Sequence, residues 1–212
     1  MKIEKVFDYK IYRNTCEESV YLNTELIRSV NDVLSMEEVT KGVLEKKLGN
    51  VANSSSGPVL STMLNPMISF IYLPGSKELT NWVTEQFLLA RDQILPSVQG
   101  NNIKFNISWI NRMYIGSHGK THRHYRETIN GVTKPDLMGI FYAQVPAKCA
   151  PLIFVNNGTP QVSYIDIPKS DKYYINPKAG ELIIHPANVW HAVELHEDVD
   201  SRTCYIFDVD VI

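Results

Sequence analysis

The chain has 212 residues, of which 44% are apolar and 21% are charged, as in ordinary globular proteins with one sizeable core. A formal charge of -2 gives no general electrostatic reason to bind nucleic acid or an anionic membrane. No apolar run reaches the roughly 18 residues of a membrane helix, and the N-terminus lacks a signal-peptide pattern, so we expect a cytoplasmic protein. Cys16, Cys149 and Cys204 are too far apart for a thiolate metal site, which leaves nitrogen and oxygen ligands.

The first hundred residues predict a mixed region that is partly helical. Val6–Tyr12 alternates as a strand does. Asn23 is placed to cap a helix, and an amphipathic stretch follows over residues 36–48. Residues 50–58 have the composition of a loop, and apolar residues at helical spacing predict a helix over 76–95.

After residue 103 the pattern becomes almost entirely strand-like, with short segments separated by Pro, Gly and Asn. The predicted strands are Ile103–Tyr114, Leu137–Val145, Leu152–Val155, Tyr173–Ile175, Glu181–His185, Val189–Leu195 and Arg202–Val211. No helix-length crossover separates them, which favours antiparallel sheets closed into a sandwich or small barrel, with the helices packed outside. We expect one domain over residues 1–212, with a helical support region at 1–100 and a β core at 101–212.

His122 and His124 are the first indication of chemistry. Side chains at i and i+2 of an extended segment point to the same face, so both imidazoles can reach one ion. Neutral imidazole suits iron, zinc, copper or nickel. Taken alone, such a pair is more often a pair of polar surface residues.

His191 offers a third imidazole from a distant part of the chain. Gly180 permits a tight entry, Glu181–His185 reads as a strand and Pro186–Asn188 as a turn. His191 is then expected on a strand that runs back after a hairpin-like turn, near the first pair at a barrel mouth. The alternative is that Trp190 and His191 only pack and hydrogen-bond in the core.

Arg202 begins a strongly β-like segment that should be buried. A buried arginine needs an anionic partner, because an unpaired buried charge costs several kcal/mol. A ligand carboxylate could accept a bidentate pair of hydrogen bonds. The alternative is an ordinary ion pair with one of the nearby acids, such as Asp198, Asp200 or Asp208.

Together these motifs resemble the Fe(II)- and 2-oxoglutarate-dependent oxygenases, whose double-stranded β-helix (jelly roll) holds iron with a His-x-Asp/Glu pair and a distal His. The likeness is closest to small bacterial and phage-type members that read His-x-His, with a prolyl-hydroxylase-like glycine, Gly116, six residues before the pair. The resemblance implies that His122, His124 and His191 ligate Fe(II) and that Arg202 grips the C5 carboxylate of 2-oxoglutarate. It also implies further cosubstrate donors, for which the candidates are Cys204, Tyr114 and Tyr142, although both tyrosines could equally be packed core aromatics.

His124 departs from the wider superfamily, which has a carboxylate at that place. Three neutral imidazoles leave the complex with one more positive charge, which alters redox tuning and anion affinity. Glu127 is an alternative ligand or outer partner, although its spacing places it off the strand face. The implied reaction hydroxylates a small-molecule or peptidyl substrate while 2-oxoglutarate is converted to succinate and CO2.

Two other functions stay open at this point. A cupin-like metal enzyme or binding protein without 2-oxoglutarate would use His122, His124, Glu127 and His191, but it does not account for Arg202. The other alternative is a noncatalytic interaction protein that keeps the barrel and has lost turnover.

The remaining candidates carry less weight. His118 and His196 are expected in solvated loops, and His185 in a hydrogen-bonded structural role. Trp109 and Asn111 could line a substrate pocket, and the helical N-terminal third could supply a homodimer surface.

Overall fold

The computed structural model describes residues 1–37, 39–40, 55–63, 65, 67–96, 98, 100–124, 126–128, 131–133, 136–156 and 164–212. Within these residues the fold is mainly β with a few helices, as predicted. The strands are β1 (Lys2–Val6), β2 (Tyr9–Thr15), β3 (Ser55–Ser56), β4 (Val59–Ser61), β5 (Ile103–Met113), β6 (His118–His122), β7 (Arg126–Thr128), β8 (Gly131–Thr133), β9 (Leu137–Gln144), β10 (Leu152–Val155), β11 (Lys172–Ile175), β12 (Glu181–Pro186), β13 (His191–Val193) and β14 (Arg202–Val211). The helices are α1 (Glu18–Tyr21), α2 (Thr24–Ser35) and α3 (Lys77–Ile94).

The strands of the described chain form two main antiparallel sheets. The larger has seven strands in the order β1-β2-β12-β9-β14-β5-β4, and the smaller has five in the order β11-β10-β13-β6-β3. β7 and β8 pair only with each other. Because each main sheet ends in open edges among the described residues, the predicted closure into a barrel stays a prediction.

The larger sheet separates two cores, and side-chain alternation along its strands divides residues between them. On β14, Tyr205 and Phe207 enter the core shared with the helices. Cys204 and Ile206 enter a second core, which also contains Phe154 of the smaller sheet. The two sheets therefore pack face to face, and the helices cover the other face of the larger sheet.

α2 and α3 begin and pack as their sequences predict. The Asn23 side chain accepts hydrogen bonds from the backbone N–H of Glu25 at 2.9 Å and of Leu26 at 3.2 Å, which caps α2. α3 lies close to β9 at Gly139, where an added Cβ would come within 2.6 Å of Phe87 Cζ. The missing side chain of Gly139 thus lets the helix approach the sheet.

The N-terminal third contributes strands as well as helices. The single strand predicted over Val6–Tyr12 is wrong, because the chain turns at Phe7, which has a φ of 53°. β2 then pairs with β12 in the larger sheet. Beyond its first few residues, the amphipathic stretch predicted over 36–48 lies outside the described residues, whereas the expected loop at 50–58 includes β3. No helix in the described part of the chain has the length and apolarity to cross a membrane.

Candidate metal centre

Three imidazoles meet where β6 and β13 pair. The register places His191 directly opposite His122, and their ring centroids lie 4.2 Å apart. His124 follows β6, and its backbone N–H donates to the Ala187 carbonyl at 3.0 Å. Its ring centroid lies 5.5 Å from that of His122 and 5.3 Å from that of His191. One ring nitrogen from each histidine lies within 4.8 Å of the others, so the three residues could hold one metal ion.

The turn before His191 differs from the predicted hairpin. β12 ends at Pro186, and the Val189 N–H donates to the Pro186 carbonyl at 3.1 Å. The chain then crosses from the larger sheet to the smaller one, so that β12 and β13 lie in different sheets. This crossing, rather than a returning hairpin, places His191 opposite His122.

Backbone carbonyls fix the orientation of two of the rings. The Nδ1 atom of His122 lies 2.7 Å from the Lys120 carbonyl oxygen, and that of His191 lies 3.1 Å from the Val189 carbonyl oxygen. Since a carbonyl only accepts, each Nδ1 carries the proton and donates it. The Nε2 lone pair of each ring is then left for a ligand bond.

His124 is held by different groups. Its Nδ1 lies 2.7 Å from Asp208 Oδ1, and its ring stacks on Trp109 with a centroid distance of 5.8 Å. Both members of the His124–Asp208 pair are buried. The Nε2 atom of His124 is buried and has no hydrogen-bond partner among the described residues.

Loss of hydration keeps the imidazoles of His122 and His191 neutral. Loss of hydration, together with the neighbouring His124, lowers the pKa of His122 to about 4. The same cause, with the neighbouring histidines, holds the pKa of His191 well below its usual range. Both rings are therefore unprotonated at neutral pH, which is the state that binds metal.

Arg202 is buried, with 2% of its surface exposed, and contacts sulfur and phenol groups instead of an acid. Its Nε donates to Cys204 Sγ at 3.2 Å, and its Nη2 donates to the Tyr142 hydroxyl at 3.3 Å. The guanidinium carbon lies 4.9 Å from the centroid of the Tyr142 ring. Among the described residues, no carboxylate forms an ion pair with it. The predicted alternative of an ion pair with a nearby acid is therefore wrong for the three candidates, Asp198, Asp200 and Asp208.

One cavity connects the imidazoles with Arg202. Its walls include all three histidines, Arg202 and Cys204, together with apolar residues of β9 and β14. The β5 strand adds Trp109 and Asn111, which lie opposite Ile206 and Cys204 in the sheet. Trp109 Nε1 and Asn111 Oδ1 are buried without hydrogen-bond partners in the described chain. The cavity therefore offers a cation and two polar atoms beside the three imidazoles.

The remaining candidates occupy varied places. Tyr142 is fully buried behind Arg202, and burial raises the pKa of its hydroxyl, which stays protonated. Tyr114 lies just beyond β5, where its N–H donates to the Pro58 carbonyl at 3.1 Å, and it does not line this cavity. The side chain of Glu127 lies outside the described residues.

Two other histidines are structural. His196 is fully buried, with Nε2 2.8 Å from the Asp200 carbonyl oxygen, so the expected solvated position is wrong. His185 is also buried, and its Nδ1 lies 2.8 Å from the Pro186 carbonyl oxygen. Its ring meets that of His191 edge to face at 5.0 Å, so it packs behind the three imidazoles.

Asp208 is the site residue whose role sequence reasoning missed. Its position near Arg202 in the chain makes it only an alternative ion-pair partner for that arginine, whereas in the structure it contacts His124. Period-two alternation from Arg202 through Cys204 and Ile206 places Asp208 on the same face of the strand. That pattern could have placed its carboxylate at the site.

Comparison with known proteins gives one family. Residues 107–208 match the model of the family described as "Putative 2OG-Fe(II) oxygenase". No curated protein matches the sequence.

Solved structures resemble the fold over most of the chain. The viral collagen prolyl hydroxylase of Paramecium Bursaria Chlorella virus-1, in its 2OG complex, has a TM-score of 0.52 at 12% identity and covers 95% of this chain and 96% of its own. A prolyl-4-hydroxylase from Pseudomonas putida has a TM-score of 0.52 at 12% identity, over 97% of this chain and 94% of its own. HygX from Streptomyces hygroscopicus, with nickel and 2-oxoglutarate bound, has a TM-score of 0.51 at 9% identity and covers 84% of this chain and 80% of its own.

Proposed function

We propose, because residues 107–208 match the model of the 2OG-Fe(II) oxygenase family, that this chain binds Fe(II) through His122, His124 and His191 and 2-oxoglutarate through Arg202. With these it would hydroxylate a small-molecule or peptidyl substrate. The observation that carries the proposal is a buried arginine, without a carboxylate partner among the described residues, in the same cavity as three convergent imidazoles.

The donor set fits a resident transition metal. Each Nδ1 meets an acceptor, so each ring can present Nε2 as a neutral ligand. The buried Nε2 atom of His124 has no protein partner in the described chain, and an unsatisfied buried nitrogen is costly. A metal ion would satisfy it, and imidazole nitrogens suit iron.

Arg202 is chemically suited to bind the distal carboxylate of 2-oxoglutarate. A buried guanidinium gains most from a bidentate carboxylate, and Arg202 has only weak acceptors around it. Tyr142 would support the guanidinium from behind, while Cys204 stands where it can touch both the arginine and the ligand. When bound, Fe(II) and 2-oxoglutarate supply the activation of O2, with succinate and CO2 as products.

The surrounding chain would position the substrate and keep water away. Ile140 and Ile206 give the cavity apolar walls, and both belong to the core between the sheets. Trp109 and Asn111 would offer hydrogen bonds to whatever the cavity holds, since their orphaned atoms need partners. A small molecule or a peptidyl side chain is proposed as the substrate by analogy with the structurally similar proteins described above.

We assign the two facing sheets to a double-stranded β-helix within one domain over 1–212. β1 and β2 extend the larger sheet, and α3 packs on it, which supports a role for residues 1–100 as a support for the metal-binding core at 101–212. Similarity of the fold to the viral and Pseudomonas putida hydroxylases over nearly the whole chain also supports this assignment.

The test is anaerobic addition of Fe(II) and 2-oxoglutarate to the full chain. The proposal expects a weak visible charge-transfer band that disappears in Arg202→Ala. Arg112→Ala is the matched control, because Arg112 donates to Thr203 and Asn31 and does not line the cavity. Bound metal without a band would favour the cupin-like alternative, and the absence of both would favour the noncatalytic interaction protein.

A further inference from the structure

We propose that Asp208 is a positioning residue for the metal, which it acts on through His124. In related sites a carboxylate ligand supplies negative charge directly to the metal. Here Asp208 would supply that charge indirectly, through its hydrogen bond to the ligand His124. This inference rests on the proposed function, since it requires that the three imidazoles bind a metal ion.

The geometry fixes His124 on two sides. Its Nδ1 lies 2.7 Å from Asp208 Oδ1, within the range of a charge-assisted hydrogen bond. The ring also stacks on Trp109, with planes 20° apart, which restricts rotation about the bond to the ring. His124 and Asp208 are 9% and 6% exposed, so water competes little for the hydrogen bond.

The carboxylate also determines which ring nitrogen is free. An ionised carboxylate can only accept, so Nδ1 must carry a proton, and in the neutral ring Nε2 then holds the lone pair. A histidine ligand oriented in this way is a more basic ligand than one without the partner. The orphaned Nε2 of His124 is the atom that this arrangement prepares.

The charge argument singles out His124 among the three ligands. His122 and His191 are backed by neutral backbone carbonyls, whereas His124 is backed by a carboxylate. His124 also occupies the sequence position at which the resembled superfamily has its acidic ligand. The acidic group is therefore retained at this corner of the site, but one imidazole further from the metal.

The test is Asp208→Asn, with Asp210→Asn as the control on the same strand. The asparagine side chain has nearly the same shape, but it carries no charge and can present either its oxygen or its amide to Nδ1. Co(II) serves as the probe, titrated into the full chain at neutral pH. We expect Asp208→Asn to raise the Kd for Co(II) by roughly 10 to 100-fold, the usual effect of losing such an outer partner, and Asp210→Asn to leave it unchanged.

Proton NMR of the Co(II)-loaded chain gives a readout that a purely structural role would not change. Wild type should show three exchangeable, hyperfine-shifted Nδ1–H resonances, and Asp208→Asn should lose or displace the one assigned to His124. A Kd within twofold of wild type with all three resonances unmoved would overturn the inference while leaving the metal site intact. If wild type binds no Co(II), the proposed function fails, and this inference fails with it.

The wild-type spectrum decides the matter if Asp208→Asn does not fold. Selective labelling of histidine then assigns the three resonances, and the inference requires the His124 Nδ1–H to exchange with water more slowly than the other two. Equal or faster exchange at His124 would overturn it.

Discussion

Replacing Arg202 by methionine should not strongly destabilise the ligand-free chain, and it should abolish binding of 2-oxoglutarate. Breaking a buried ion pair by removing one partner costs about 3–5 kcal/mol, because it strands the other charge. Arg202 has no such partner in the described chain; its acceptors are Cys204 Sγ, Met113 Sδ and the Tyr142 hydroxyl. Removing a buried charge favours the variant by about 1–4 kcal/mol, and orphaning the tyrosine hydroxyl costs about 1–3 kcal/mol. The two effects oppose each other, so the change in the free energy of unfolding should lie between a gain of about 3 kcal/mol and a loss of about 2 kcal/mol.

Urea unfolding of the metal-loaded chain, with and without 2-oxoglutarate, measures both effects. At a ligand concentration 100 times its Kd, wild type should gain about 2.7 kcal/mol of stability, and Arg202→Met should gain none. Arg112→Met, outside the cavity, should retain the full gain. A loss of 3 kcal/mol or more in ligand-free Arg202→Met would show that the arginine has an acidic partner, and a retained ligand effect would remove its assignment to the cosubstrate.

Three further predictions concern the site and its support. His122→Ala should raise the Kd for Co(II) by more than roughly 100-fold, which is the largest effect usual for losing a residue that only supports a ligand. His118→Ala is the control and should leave the Kd for Co(II) unchanged. Equal losses of affinity in the two variants would contradict the assignment of His122 as a ligand. Burial lowers the pKa of His185 to about 3 from an ordinary 6.5, so the unfolded chain binds more protons and stability falls as the pH drops below about 6.5. Between pH 7.5 and pH 5, the free energy of unfolding of the metal-free chain should therefore fall by about 2 kcal/mol less in His185→Gln than in wild type. Urea unfolding at the two pH values measures this difference, and an equal fall in both proteins would contradict the prediction. Gly139→Ala should cost about 1–3 kcal/mol by overpacking against Phe87, and Phe87→Leu in the same chain should recover part of it in thermal unfolding; the absence of any recovery would place the strain elsewhere.

Strand positions after residue 103 could be predicted because each strand buries apolar side chains and ends at a turn residue. Leu152–Val155 and Arg202–Val211 match the predicted bounds, and the other predicted strands differ by a few residues at their ends, whereas β6, β7 and β8 were not predicted. The N-terminal hairpin could not be predicted in this way, since its apolar alternation continues through the turn. That turn depends on a positive φ at Phe7, a conformation that a phenylalanine does not indicate in sequence.

The His122 and His124 pair could be predicted from local geometry, but the position of His191 could not. Alternation gives two side chains on one face of a segment whatever the fold. His191 meets them because the chain crosses between sheets at Pro186 and β13 then pairs with β6 in one register. A shift of one residue would turn His191 to the other face. Pairing of this kind is set by the whole fold, so the sequence gives only a candidate.

The separation of Arg202 from Asp208 could have been argued from the sequence and explains how β14 serves the site. Six residues of a strand span about 20 Å, so two side chains on the same face at that spacing cannot form an ion pair. Arg202 and Asp208 therefore lie on the same face of β14 but too far apart to form an ion pair with each other. Asp208 is then left for His124, and Arg202 is left for an anionic ligand in the cavity. Deleting two residues between Arg202 and Asp208 would keep both side chains on one face of β14 and bring the two charges closer. We expect this deletion to impair both the binding of an anionic ligand by Arg202 and the hydrogen bond of Asp208 to His124.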